Sequence, residues 1–218
     1  MFNEINWSKM TDAFAQTLYM SFVTIGFVAV LGLGMGLLLY LTQKGGLWEN
    51  KIVNKILDAY INISRSIPFI IVLILLIPLT AKVMGTIYGV NAALPALIVG
   101  VAPFYARIVE IGLKEIDKGV IEAASSLGAS SYQIISKVLI RESLPSLISG
   151  LTVTMVALIG YTALAGAIGA GGLGYIAYLY GFQRGNYQVM IVATLLILLI
   201  VFIVQLSGEL VVKLIDKR

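Results

Sequence analysis

Between Ala13 and Leu41 the chain places no charged residue, and long uncharged stretches recur as far as Gly208. A run of that kind is long enough to cross a hydrocarbon core of roughly 30 Å as a helix, with room for tilt. Composition agrees: 59% of the 218 residues are hydrophobic, 12% are charged and the mean hydropathy is +0.97. A soluble domain would carry about twice that charge. The sequence therefore predicts an all-α membrane protein in contact with the lipid bilayer. The first twelve residues contain Glu4, Lys9 and Asp12, so they do not form the basic leader of a signal peptide, and the apolar run after them reads as a retained span.

Five spans are expected, at about 13–41, 59–80, 92–113, 146–165 and 186–208. In the first, Gly32 and Gly36 form a small-xxx-small pair suited to close helix packing. The second contains Pro68 and Pro78, each lacking an N–H, which predicts a kinked, protein-facing helix. Arg65, near its start, is expected to snorkel towards the headgroups. In the third, Arg107 and Glu110 share a face at i, i+3 and read as a structural ion pair rather than a substrate contact. The uncharged run from Ser143 to Gln183 is too long for one helix. Its segment Gly166–Gly174 is too glycine-rich for a helix interior, so a re-entrant or external turn is expected there. After the last span Glu209 and Lys213 are spaced to pair at i, i+4.

Basic residues set the expected topology. Lys44, Lys51, Lys55, Lys114, Lys118, Lys137, Arg141, Lys213, Lys217 and Arg218 fall on one side of a five-span arrangement, with Lys9, Lys82 and Arg184 on the other. The positive-inside rule then puts residues 1–12 outside and the tail 213–218 in the cytoplasm, in a cytoplasmic (inner or plasma) membrane. No Lys/Arg cluster interleaved with aromatics argues for nucleic acid. The chain has no Cys and no His, so thiol catalysis is excluded and a zinc or copper site is not expected. Neither a nucleotide motif nor a carboxylate pair deep in a span is present. The chain reads as a non-enzyme, and any uphill work must come from another subunit.

The loop at about 114–145 is a polar island, and its centre runs Glu122-Ala123-Ala124-Ser125-Ser126-Leu127-Gly128. Small Ala side chains allow another surface to approach, Glu122 offers a charge, and Gly128 permits a sharp bend. From Tyr132 to Ile140 a helical apolar pattern resumes. Glu122, Ala123, Ala124 and Gly128 match, residue by residue, the cytoplasmic loop signature of ABC importer membrane subunits. The family's Leu-Pro ending is displaced, however: Ile140-Arg141 stands in its place and Leu144-Pro145 follows.

Arg65-Ser66-Ile67-Pro68-Phe69, Ala102-Pro103-Phe104-Tyr105-Ala106-Arg107, the glycine-rich stretch Gly160–Gly174 and Tyr180-Gly181-Phe182-Gln183-Arg184 carry the resemblance further. Over nearly its whole length the chain resembles the permease subunits of bacterial methionine ABC importers. That resemblance implies the type I importer transmembrane fold and a homodimer working by alternating access. It also implies two ATPase subunits holding ATP and Mg2+ on the cytoplasmic face, and a methionine-binding protein, often a lipoprotein, docking outside. No cofactor is expected in this chain. Tyr161, Met155, Leu158 and Leu164 are candidates for an apolar path, with Tyr161 as gate. A permease for another amino acid or small solute is the main alternative, and an ATPase-independent transporter or channel a minor one.

Overall fold

The structure, a computed structural model, describes residues 5–216, and among them every regular element is helical. Residues 1–4 of the expected outer segment and 217–218 of the expected tail lie outside the described residues. Helix α1 (Trp7–Thr42) starts where the Asn6 side chain accepts from the Lys9 N–H at 3.0 Å. This is a side-chain cap that satisfies one of the helix's free amides. Its buried residues include Met10, Ala13, Thr17, Met20, Thr24, Val28, Gly32, Gly36 and Leu39, the three-to-four spacing of one helical face.

That face packs on α5 (Val90–Lys114), the central helix. A Cβ added at Gly32 would lie 2.7 Å from the Tyr105 ring, and one at Gly36 would collide with the Ala106 carbonyl and Val109. The two glycines are what let α1 and α5 approach backbone to backbone. Behind α5 lies α8 (Ile140–Ala165), whose Leu147 carbonyl accepts from the Tyr105 hydroxyl at 3.2 Å. The last helix, α10 (Tyr187–Ile215), is peripheral: it buries Val189, Ala193 and Ile200 and leaves residues such as Leu195, Phe202 and Leu206 exposed. In a lipid solvent that apolar exterior carries no hydrophobic penalty.

The expected second span, read as a helix kinked at its prolines, is broken at Pro68 and begins earlier than residue 59. In its place stand α2 (Lys51–Ser66), α3 (Phe69–Leu75) and α4 (Ile77–Met84), with a bend of 105° between α2 and α3. Ile67-Pro68 forces it: the residue before a proline is pushed out of the α region, and Ile67 has φ −85°, ψ 127°. Four helical stretches are long and apolar enough to cross a membrane, or up to five if the bent pair counts as one span. Other boundaries shift too. The first and last spans lengthen to Trp7 and Ile215, and the fourth is the end of a continuous helical stretch from Ser131 to Ala170. Leu144-Pro145 therefore lies inside a helix and does not end one.

The glycine-rich segment folds as a re-entrant turn. After wide turns at Gly166–Ala170 the chain reverses at Gly169 (φ +103°) and Gly171 (φ +86°) and enters the short α9 (Gly172–Ile176). The first amides of α9 have no partner within their own helix. Here Gln16 Oε1 accepts from the Gly172 N–H at 2.8 Å, and Thr17 Oγ1 accepts from the Leu173 N–H at 2.9 Å. Side chains of α1 thus supply what the turn gave up.

Candidate functional site

The polar island folds into a compact, doubly capped hook. Asp117 Oδ1 accepts from the Gly119 N–H at 2.8 Å and starts α6 (Lys118–Ser126). The helix ends at Leu127, and Gly128 follows at φ +79°. Gly128 N–H then bonds the Ser125 carbonyl at 3.0 Å and Ala129 N–H the Ala124 carbonyl at 3.1 Å. This bond pair is the Schellman arrangement, in which a left-handed residue closes the helix on its own last carbonyls. Ser130 and Gln133 immediately form a reciprocal capping box that begins α7 (Ser131–Gln133). The chain then passes through wide turns at Ile134–Leu139 into α8.

One side of the hook is anchored and the other is bare. Ile121, Ala124 and Ala129 pack against the core around Ile134 and Ile135. Glu122, Ala123 and Gly128 are exposed, and α6 buries no residue fully. Leu127 at the tip is 88% exposed and Tyr132 is 77% exposed. Sequence reasoning did not single out these two exposed side chains. Their signal was present: like Val120, they are large apolar side chains of the island that its inward-facing helical pattern does not use.

Beside the hook, polar groups of α2 and α5 form a ladder. Arg107 bonds Glu110 and donates to Asp58 at 2.6 Å and Asn62 at 2.7 Å. Lys114 donates to the other oxygen of Glu110 at 2.6 Å. The Glu110 side chain is 6% exposed, so two cations hold one buried carboxylate. Sequence spacing exposed the Arg107–Glu110 pair but not Asp58 or Asn62, which the bend of the second span brings alongside. The expected Glu209–Lys213 pair does not form. Glu209 instead accepts from the Gln205 amide at 3.2 Å.

The four path candidates separate. Met155 and Leu158 are buried in the core of the protomer and line no surface, a correction to their reading as path residues. Leu164 is exposed, and Tyr161 is half-buried with its ring stacked on Phe69 at 4.2 Å between centroids. Period alone could not divide them, because the side of α8 that faces α5 is set by tertiary packing.

Fold and hook together define a polytopic helical membrane protein that presents a capped, exposed helical hook between two of its apolar helices. Residues 30–218 match the family model described as binding-protein-dependent transport system inner membrane component. The chain belongs to that family. It is 57% identical over 217 residues to the methionine import system permease protein MetP of Bacillus subtilis (strain 168), covering 100% of this chain and 98% of that protein. It is 46% identical over 212 residues to a probable D-methionine transport system permease protein MetI of Pasteurella multocida (strain Pm70), covering 97% and 98%. Among solved structures it is similar to a chain of the MetNI methionine ABC transporter in inward-facing conformations. The TM-score is 0.96 and the identity 42%, over the full length of both chains. An amino acid ABC transporter at 22% identity, TM-score 0.72, shares the fold.

Proposed function

We propose that this chain is the membrane-spanning subunit of an ATP-driven methionine importer, taking L- and D-methionine. Two copies enclose the pathway around a two-fold axis, the commonest symmetry of homo-oligomers. Two separate ATPase subunits, which hold ATP and Mg2+, grip the hooks of the pair on the cytoplasmic face. A methionine-binding protein delivers substrate from outside. In this arrangement the N-terminus is outside and the C-terminus inside.

The observation that carries the reading is the hook: a helix fully closed at both ends, anchored on one side and bare on the other. Such an element transmits displacement without dissipating it in local unfolding. Ala123 keeps its exposed surface low while Ala124 seats it on the core, Glu122 offers a carboxylate to a basic group of the ATPase, and Leu127 is the apolar knob. Because Gly128 ties α6 to α7, and α7 leads into α8 without a break, a push on the hook reaches a spanning helix directly. ATP binding drives the cycle to the extent that it favours one of the two conformations, since a ligand binding both equally shifts nothing. On the pathway face Tyr161 and Leu164 stand accessible, with Met155 and Leu158 behind them. The Arg107–Glu110 pair is structural.

The test is labelled methionine uptake into proteoliposomes containing this chain, its ATPase and its binding protein. ATP-dependent uptake that falls with Glu122→Ala, while the complex still assembles, supports the reading. Uptake by this chain alone, without ATPase, overturns it.

A further inference from the structure

Two cations gather on one tyrosine at the end of the molecule away from the hook. Helix α8 leaves the hook and ends at the re-entrant turn, so the N-terminal ends of α1 and α10 lie at the opposite end of the helices. Between them runs a cleft of about 270 Å3, whose polar lining is Asn6, Lys9, Tyr180, Arg184 and Asn186. Lys9 Nζ donates to the Tyr180 hydroxyl at 3.2 Å and lies 5.3 Å from the centre of its ring. The Arg184 guanidinium lies 4.5 Å from the same centre. Both are within the range at which a ring's π electrons attract a cation.

No carboxylate answers these charges. Among the described residues neither cation is in an ion pair, and no Asp or Glu lines the cleft. Asp12, one turn beyond Lys9 on α1, lines the neighbouring cleft at the glycine-rich turn instead. Asn6 Oδ1 accepts from the Lys9 N–H and Asn186 Oδ1 from the Val189 N–H, so what each side chain has left to offer a ligand is its NH2. The start of two long helices at the same cleft adds the positive ends of their dipoles. Two cations and two amide donors without an acid are the complement of an anion.

Both cations are exposed and long, so their ends can close on the oxygens of a single group. A phosphate suits the pair, since it offers several oxygens to a planar guanidinium fork and to a point charge beside it. The rest of the cleft decides which phosphate. Met10, Ile176 and Val189 continue its wall as apolar surface, of no use to a free phosphate ion but a match for a phosphodiester that carries acyl chains. Helices α1 and α10 are both long and apolar enough to cross a membrane. The first residue of each, Trp7 and Tyr187, is an exposed aromatic of the kind enriched where spans meet lipid headgroups. Beyond Tyr187, α10 exposes Ile191 and Leu195. A zwitterionic headgroup would bring an ammonium for which the cleft has no acid, so the fit is to a lipid of net negative charge.

We propose that this cleft binds the headgroup phosphate of an anionic phospholipid, with Lys9 and Arg184 holding its oxygens. Ile176 belongs to α9 and Tyr180 to the wide turns after it, so the bound lipid ties the segment that follows the re-entrant turn to the ends of α1 and α10. The site lies beyond the transport reading and does not depend on which solute is carried.

The test gives the full chain, purified in detergent, equal amounts of phosphatidylglycerol and phosphatidylethanolamine with the same acyl chains. The lipid retained is read by native mass spectrometry. The wild type should prefer phosphatidylglycerol by about 30-fold, about fivefold for each cation. Lys9→Gln and Arg184→Gln should each lower that preference about fivefold, and the double variant should abolish it. Lys82→Gln removes a cation that does not line the cleft and should leave the preference unchanged. Excess inorganic phosphate should not displace the lipid. Thermal unfolding in lipid-free detergent checks that the variants are folded; should the double variant fail to fold, the two single variants decide. Equal retention of both lipids by the wild type would leave the cleft to an acidic protein surface and overturn the lipid site. An equal loss in Lys82→Gln would reduce it to net charge, and displacement by inorganic phosphate would make it a free-phosphate site. Either overturns the proposal while leaving methionine import untouched.

Discussion

Replacing Gly128 by valine tests the hook at its one irreplaceable backbone position. Gly128 has φ +79°, and a Cβ there would meet nothing within 4 Å. The whole cost is therefore backbone strain, with no steric clash against neighbours to confuse it. For an L-residue the left-handed region costs roughly 1–2 kcal/mol, and a β-branched side chain sits at or above the upper end. Helix α6 buries no residue fully that would resist relaxation, so the Schellman bonds from Gly128 and Ala129 give way first. A cost of about 2 kcal/mol lowers the ratio of closed to open hook about 30-fold. Gly128→Ala, at about 1 kcal/mol, lowers it about fivefold, and Gly128→Asn costs less because asparagine tolerates this conformation. The assay is ATP-driven methionine uptake per ATP hydrolysed in proteoliposomes, alongside the yield of assembled complex. Coupling should fall in the order glycine, asparagine, alanine, valine. A valine variant that assembles normally and transports with wild-type coupling would falsify the role given to this turn.

Three further outcomes follow from packing and hydrogen bonding, each read by thermal unfolding of the detergent-solubilised protein. Gly36→Ala forces apart α1 and α5 and should cost about 1–3 kcal/mol, whereas Gly34→Ala, with open space around its Cβ inside the same helix, should not lower the midpoint and should add up to about 1 kcal/mol of stability. Arg107→Met leaves the buried Glu110 with one partner fewer and should destabilise by about 3–5 kcal/mol; Lys114→Met, at a half-exposed position, should cost far less, and equal losses would contradict the ladder. Gln16→Ala and Thr17→Val each strip a partner from an amide of α9 and should cost about 1–3 kcal/mol apiece. Stability indifferent to both would mean that the re-entrant turn is not held from α1.

What the sequence alone determined is what depends on neighbours along the chain. Uncharged length marked the apolar helices, because crossing lipid requires consecutive apolar residues. The Glu122–Gly128 hook was legible for the same reason: its caps, its bend and its small residues all act within a few positions of one another. The glycines of Gly166–Gly174 announced a break because they disfavour helix wherever they stand. Tertiary structure decided everything that depends on which side of a helix meets which partner. It put Met155 and Leu158 in the core and left Leu164 outside, although all lie on one helix with one period. It turned the second span through 105° at Ile67-Pro68, so that Asp58 and Asn62 reach Arg107 across the chain. The same helix, α2, carries Arg65 over the Phe104 ring of α5, a contact that no count of residues along the chain reveals, since contacts between helices follow the path of the backbone and the sequence records only its length.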